Sequence, residues 1–442
     1  TILDRCKQML MKLGLEPEWE AKFENNSYGF RPGYSVRDCK HLITHQIQGA
    51  TKYFLDADIK GCFDNISHDA LIKKLDTIPM FSKQIKTWLE AGIMSNLKED
   101  NIDVNTSGTP QGGVISPLLA NIALRGMETE LLSKFSRDGV KIIRYADDFV
   151  IMSKSLSNIE KAKKIVIDFL STIGLELSSE KTRIGHSQNV MEQKEQAVES
   201  APGLNLLGFH FRNIRTSIHR GVKTTRGKKQ KFKQISTPSR ESVKRHKMVI
   251  KNILRTHRSA PRLAVIQKLA TVIKGWTEYY SITQCSKIFS YLDQWTFWRL
   301  WRWAEKRYKG IANAKKHCFS VRGWNFGFLI GGKRYILDRH SATNVRKYIK
   351  IRAGASIYDG NIMYFANRLS YHNSRMNRLI KLLKAQDYKC AYCKSVFMPY
   401  DQVELHHVLD ENKKRTDKLQ FLHRHCHDSV HSSKSYTKSQ KI

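Results

Sequence analysis

No apolar run in this 442-residue chain approaches the ~18 residues a membrane-spanning helix needs, and no signal peptide opens the sequence. Both absences argue against a membrane as the partner. Acidic residues are also scarce. Forty Asp and Glu stand against 76 Lys and Arg, a formal charge of +36 with a pI near 9.9. Solubility does not require so large an imbalance; a polyanion such as nucleic acid does. The shortage is sharpest over residues 212–258, where Glu241 is the single acid beside 16 Lys or Arg. A charge run is usually a solvated face, but this one reads as a phosphate-backbone surface whose binding weakens steeply in salt. Its candidate contacts are Lys228, Lys229, Lys231, Arg240, Lys244 and Arg245. Clustered cysteine is rare too: of eight, only Cys390, Cys393 and Cys426 stand together. They read as reduced thiols and metal ligands rather than disulfides. The length suggests two to four domains.

What the chain does have is a pair of adjacent carboxylates between two β-prone arms, in Lys141-Ile142-Ile143-Arg144-Tyr145-Ala146-Asp147-Asp148-Phe149-Val150-Ile151-Met152. The pattern predicts a hairpin with Asp147 and Asp148 at its bend. An acidic turn is the plain alternative. Like charges between apolar strands repel unless a cation compensates them, and two-metal chemistry needs such clustered carboxylates. A second carboxylate pair, Asp56 and Asp58, stands in the stretch 53–64, where an apolar strand again runs into an acid and is followed by a loop and a helix-like run over Ser67–Leu75. Two strands ending on aspartates suggest one metal site built from distant segments.

Further patterns place the remaining elements. Gly108–Pro117 is a Gly- and Pro-punctuated loop, with a helix expected over Leu118–Leu132. Ser157-Asn158-Ile159-Glu160 has capping-box spacing, and its helix should run until Gly174. Leu206–Phe211 reads as a short apolar strand. Thr237-Pro238 is a candidate helix start, and a helix from Pro261 should close at Gly275. Trp295, Trp298, Trp301 and Trp303 at helical spacing read first as core. Interleaved Arg299, Arg302, Lys306 and Arg307 keep base stacking open for the exposed minority. Residues 341–385 are basic and expected to be helical.

Near the C-terminus, Cys390-Ala391-Tyr392-Cys393 and His423-Arg424-His425-Cys426 repeat a two-residue gap about 30 residues apart, a structural-zinc signal. His427 and His431, at i and i+4, suit a second metal, and Val403-Glu404-Leu405-His406-His407 lies between the two knuckles.

Tyr145-Ala146-Asp147-Asp148, Asp58 with Phe63 five positions on, and Gly108-Thr109-Pro110-Gln111-Gly112-Gly113 through Ile122 resemble the palm motifs of reverse transcriptases. Tyr28-Gly29-Phe30-Arg31-Pro32-Gly33 narrows the resemblance to group II intron-encoded proteins, in the family's motif order over nearly the whole chain. The resemblance implies a multidomain α/β right-hand polymerase with an antiparallel palm sheet, an all-α thumb/X domain and a small ββα-metal HNH domain. The expected boundaries are 1–235 for fingers and palm, 236–340 for thumb/X, 341–385 for DNA binding and 386–442 for the HNH nuclease. Asp58, Asp147 and Asp148 would be catalytic and hold two Mg²⁺ ions, one activating the primer 3′-hydroxyl and one neutralising the triphosphate. Phe63, Gln111 and Lys181 would contact the nucleotide, Phe63 by excluding a 2′-hydroxyl. Leu206–Phe211 would be the primer grip. Cys390, Cys393, His423 and Cys426 would hold structural Zn²⁺. His407 would be the nuclease base, with His406, His427 and His431 at a divalent metal. Lys418 stands where the family's middle Asn is expected and Asp410 where Pro is usual, so a zinc ribbon that only binds DNA is the alternative for this module. Thr1 falls inside the family's fingers, after its basic triphosphate-holding segment, so weak polymerisation is expected. The function implied is RNA-directed DNA polymerase, splicing maturase and target-primed mobility with HNH nicking. Its partners would be intron RNA, target DNA and dNTPs in a bacterial cytoplasm or an organelle. The alternatives are a maturase that keeps the palm as scaffold, or another bacterial reverse transcriptase.

Overall fold

The computed structural model describes residues 2–48, 50–91, 93–94, 102–103, 107–110, 112–136, 139–192, 199–200, 202–216, 232–321, 325–346, 348–361, 364–365, 368, 376–397, 401–409 and 415–436. Lys228, Lys229, Lys231, Gln111 and Asp410 lie outside them.

The organising layer is an antiparallel sheet in the order β4-β5-β1-β6, from β1 (Tyr53–Ala57), β4 (Val140–Tyr145), β5 (Asp148–Ser153) and β6 (Arg183–His186). Apolar residues of its strands point to both faces, and both faces are covered. Leu55, Ala57, Ile142, Phe149 and Ile151 enter one core, and the alternate residues Phe54, Ile143, Val150 and Met152 enter another. The first core is packed by α1 (Ile2–Lys22), α3 (Cys62–Asn65), α4 (His68–Leu75), α5 (Pro79–Leu89), α6 (Ser116–Leu124), α7 (Met127–Ser133) and α8 (Leu156–Ser171). The second takes α2 (Val36–Gln46) and the sheet of β9 (Leu204–Leu206), β10 (Phe209–Arg215) and β11 (Phe232–Pro238). Two-residue ladders pair β2 (Ile93–Met94) with β3 (Ile102–Asp103) and β7 (Met191–Glu192) with β8 (Glu199–Ser200).

Several boundaries differ from the sequence reading. The helix expected over Leu118–Leu132 is two, because Arg125 is extended and Gly126 takes φ +99°. The cap of α8 is Ser155, which leaves Ser157 inside the helix. Leu206–Phe211 is a hairpin rather than one strand, turning at Leu207 and Gly208 with φ of +51° and +79°. Pro238 ends β11, so the cap of α9 (Arg240–Thr256) is Ser239, whose Oγ accepts the Ser242 amide.

A third core joins α9, α10 (Arg262–Tyr280), α11 (Ser286–Tyr308) and α12 (Ile311–Cys318). Helix α10 does not stop at Gly275. Trp276, stacked on His246, and buried Tyr280 carry it another turn. This region is not all helical, since Phe326 and Phe328 bring the hairpin of β12 (Gly327–Ile330) and β13 (Lys333–Ile336) into the same core. Residues 348–361 are also not helical. They bind the front of α2 instead: buried Asp38 accepts hydrogen bonds from Ile351 N at 2.7 Å and Tyr348 OH at 2.8 Å, and pairs with Arg368 at 2.6 Å. Helix α13 (Met376–Ala385) follows. The C-terminal module is a hairpin of β14 (Val403–Leu409) and β15 (Arg415–His423) with α14 (Arg424–Tyr436), around its own small core.

Candidate active site and metal centres

The hairpin β4–β5 turns in two residues, Tyr145 pairing with Asp148. Ala146 sits at φ +58°, a conformation that costs a non-glycine residue about 1–3 kcal/mol. The strain is held in place from behind. A Cβ on Gly29 would lie 2.3 Å from Ala146 N, so only glycine permits the loop to press on the turn. Asn121 ties the two together: its Nδ2 donates to Gly29 O at 2.8 Å, and its Oδ1 accepts Arg144 Nη1 at 3.1 Å. Arg144 Nη1 also reaches Ala146 O at 3.2 Å.

In the neighbouring register Ala57 pairs with Phe149, which brings Asp58 one step further on beside Asp148. Burial, then Asp147, Asp58 and Asp56, push the Asp148 carboxyl up to about 6. Lys181 Nζ lies 2.6 Å from Asp58 Oδ2, and Arg183 Nε lies 3.0 Å from Asp56 Oδ2. Burial still raises Asp56 to about 6. Negative charge is therefore crowded at the ends of β1 and β5, which suits a divalent cation. The aspartates are not among the sets whose donor atoms all lie within 4.8 Å of one another. Phe63, half-buried, follows Gly61 on α3. The Gly108–Pro110 loop is bonded onto it through Thr109 N to Phe63 O at 2.5 Å. Gly108 has φ +85°, and a Cβ there would lie 2.5 Å from the Asp64 backbone.

On α9, Arg240, Lys244 and Arg245 are exposed. Arg240, Lys244, Lys247 and Lys251 line a cleft of about 290 Å³ closed by Tyr291 and Trp295 of α11. Lys247 Nζ stands 5.1 and 5.0 Å over those two rings, and Arg299 stands 5.2 Å over Trp295. The tryptophans divide as expected. Trp303 is buried, Trp295 and Trp301 are partly buried in the core, and Trp298 is exposed.

At the C-terminus the donor atoms of Cys390, Cys393, His423 and Cys426 lie within 4.8 Å of one another, a set compatible with zinc. His423 Nδ1 is 3.3 Å from Cys393 Sγ, and its Nε2 is 3.1 Å from Asp401 Oδ2. An outer carboxylate on a ligand histidine fixes its tautomer. The Ser395 amide, as the largest cause, brings the Cys393 thiol down to about 6. His406, His427 and His431 form a second compact set. His427 Nε2 is 3.2 Å from His431 Nε2, and Glu404 Oε2 is 2.9 Å from His427 Nδ1. His407 is exposed, alternates away from His406 on β14, and stands at a register shift that re-aims side chains. Lys418 is exposed on β15. The sequence reading missed Asp401 and Glu404. Only Glu404 carried a signal, sharing the face of His406 two residues on.

Residues 1–211 match the family described as reverse transcriptase (RNA-dependent DNA polymerase). Residues 243–319 match the group II intron maturase-specific domain. Over these two regions the chain is similar to the group II intron-encoded reverse transcriptases/maturases. It is 34% identical over 201 residues to the group II intron-encoded protein LtrA of Lactococcus lactis subsp. cremoris, covering 45% of this chain and 29% of that protein. Protein YkfC of Escherichia coli is 30% identical over 41% of this chain and 57% of its own length. The maturase-like protein 1 of Euglena gracilis is 24% identical over 63% and 52%. The chain thus spans less than a third of LtrA's length. Among the described residues, no helix is long and apolar enough to cross a membrane.

Proposed function

We propose that the chain is an RNA-directed DNA polymerase that also binds group II intron RNA to promote its splicing. The observation that carries the polymerase reading is the meeting of Asp58 and Asp148 on adjacent strands, with Asp147 in the turn. Asp58, Asp147 and Asp148 would hold magnesium, which supplies charge neutralisation for phosphoryl transfer when bound. Lys181 reaches Asp58 at that site and Phe63 would contact the nucleotide's sugar, while the α9 cleft offers cations and aromatic faces to a phosphate backbone. Support for zinc comes from the four-donor cluster. Support for HNH nicking of target DNA comes from the ββα order and the His406, His427 and His431 set.

The test is primer extension on an RNA template with and without Mg²⁺. Asp58→Ala and Asp147→Ala should each lower extension by several orders of magnitude and leave RNA affinity unchanged. Parallel loss of RNA binding would make these aspartates folding residues.

A further inference from the structure

Phe30 is held in a conformation its side chain disfavours, and neither neighbour lets it leave. Its φ is +59°, yet the ring is 49% exposed, so burial does not explain the choice of residue. On one side Gly29 is jammed against Ala146 and bonded to Asn121. On the other, buried Arg31 grips Glu20 with Nη2 at 2.9 Å and Nε at 3.1 Å, and donates through Nη1 to Glu24 O and Ser27 O, both at 2.9 Å. Glycine would satisfy such a turn with no strain. A strained aromatic fixed from both sides needs a use for its ring. The ring's neighbour is Phe63: the centroids are 6.1 Å apart and the planes meet at 75°, edge to face.

Building on the polymerase reading above, we propose that Phe30 is a positioning residue for nucleotide selection, fixing the ring of Phe63 where it faces the sugar of the incoming nucleotide. Phe63 is anchored through its backbone to Thr109 but is only half-buried, so its ring needs a lateral stop. The exposed edge of Phe30 provides that stop from a different segment of the chain. Without it, Phe63 could turn aside and admit a 2′-hydroxyl.

Single-nucleotide extension on an RNA template, with kcat and KM measured for a dNTP and the matching rNTP, tests this. Phe30→Gly removes the ring and relieves the backbone, so folding is kept and the thermal midpoint should hold or rise. The preference for dNTP over rNTP should fall about tenfold, the scale of one lost apolar contact in a selective pocket, through a lower KM for the rNTP. The kcat on dNTP should stay near that of the unsubstituted chain. Phe30→Tyr keeps the ring edge and should keep the preference. An unmoved preference, or equal KM increases for both nucleotides, overturns the role. If the unsubstituted chain extends no primer with either nucleotide, the polymerase reading falls and this role with it; extension with unmoved preference removes this role alone.

Discussion

Glu128 shows what a single residue can hide. It opens α7, accepts Asn26 Nδ2 at 2.5 Å, and lies close to Glu24 and Arg144. Burial, as the largest cause, lifts its carboxyl to about 7. The folded state therefore holds this proton more tightly than the unfolded chain. Stability from Glu128 is full below about pH 4.5 and is lost as pH rises through about 7. Glu128→Gln keeps an acceptor for Asn26 and carries no charge. In denaturant titrations it should exceed the parent by about 2–3 kcal/mol at pH 8, and the two should converge by pH 4.5. A constant difference at both pH values would assign the effect to packing. The sequence marked Asp58 and Asp147 because a carboxylate at a strand end is a local anomaly. Glu128, Arg31 and Asp38 are ordinary acids and bases until distant partners close around them. No local pattern separates them from surface charge.

At the scale of elements, legibility followed how locally each element is determined. Local apolar, β-prone runs ending on aspartates located β1, β4 and β5, and a helical period located α8, because these signals lie within the segment itself. Breaks and extensions depended on tertiary contacts: Gly126 splits a helix, whereas Gly275, with no atom within 4 Å of its Cβ position, does not. The segment 348–361 was misread as helix because basic composition carries no period. Its conformation comes from Asp38, whose carboxylate takes Ser35 N, Tyr348 OH, Ile351 N and Arg368, while Tyr34 OH reaches Ala355 O at 2.9 Å and Tyr358 OH reaches Glu16 Oε2 at 2.7 Å. Asp38→Ala takes the carboxylate from the Arg368 guanidinium and strands the Ile351 amide, and should cost about 3 kcal/mol. Limited proteolysis should then cut within 348–361 before the palm. A loss below about 0.5 kcal/mol, with unchanged cleavage, would mean the segment is held by Phe365 and Ile357 on Gly33 rather than by the carboxylate.

Across the whole molecule, hydrophobic burial is unevenly shared. The two cores on the faces of the palm sheet and the third among α9–α12 each draw on many large side chains, whereas the C-terminal core has five buried residues, Cys390, Phe397, Phe421, Leu422 and Cys426. Two of those five are thiols of the metal-compatible set. So little apolar area does not offset the conformational entropy of a module of about 50 residues, and small modules of this kind depend on a metal. The donor set carries the same message. Cys390 and Cys393 are held below the usual thiol range by backbone amides, but Cys426 is pushed up to about 12, so three thiolates would repel without a cation among them. Removing metal from the full chain with a strong chelator should therefore unfold β14, β15 and α14 while the palm and the α9–α12 region stay folded. Hydrogen exchange on the full chain reads both outcomes at once: amide protection over 403–409 and 415–436 should vanish, and protection over β1, β4 and β5 should not change. Cys426→Ser should lose the same protection without chelator, and added zinc should not restore it fully. Retained protection in the metal-free chain would mean the hairpin and α14 stand on their five-residue core alone, and that the cysteine cluster is not what folds this module.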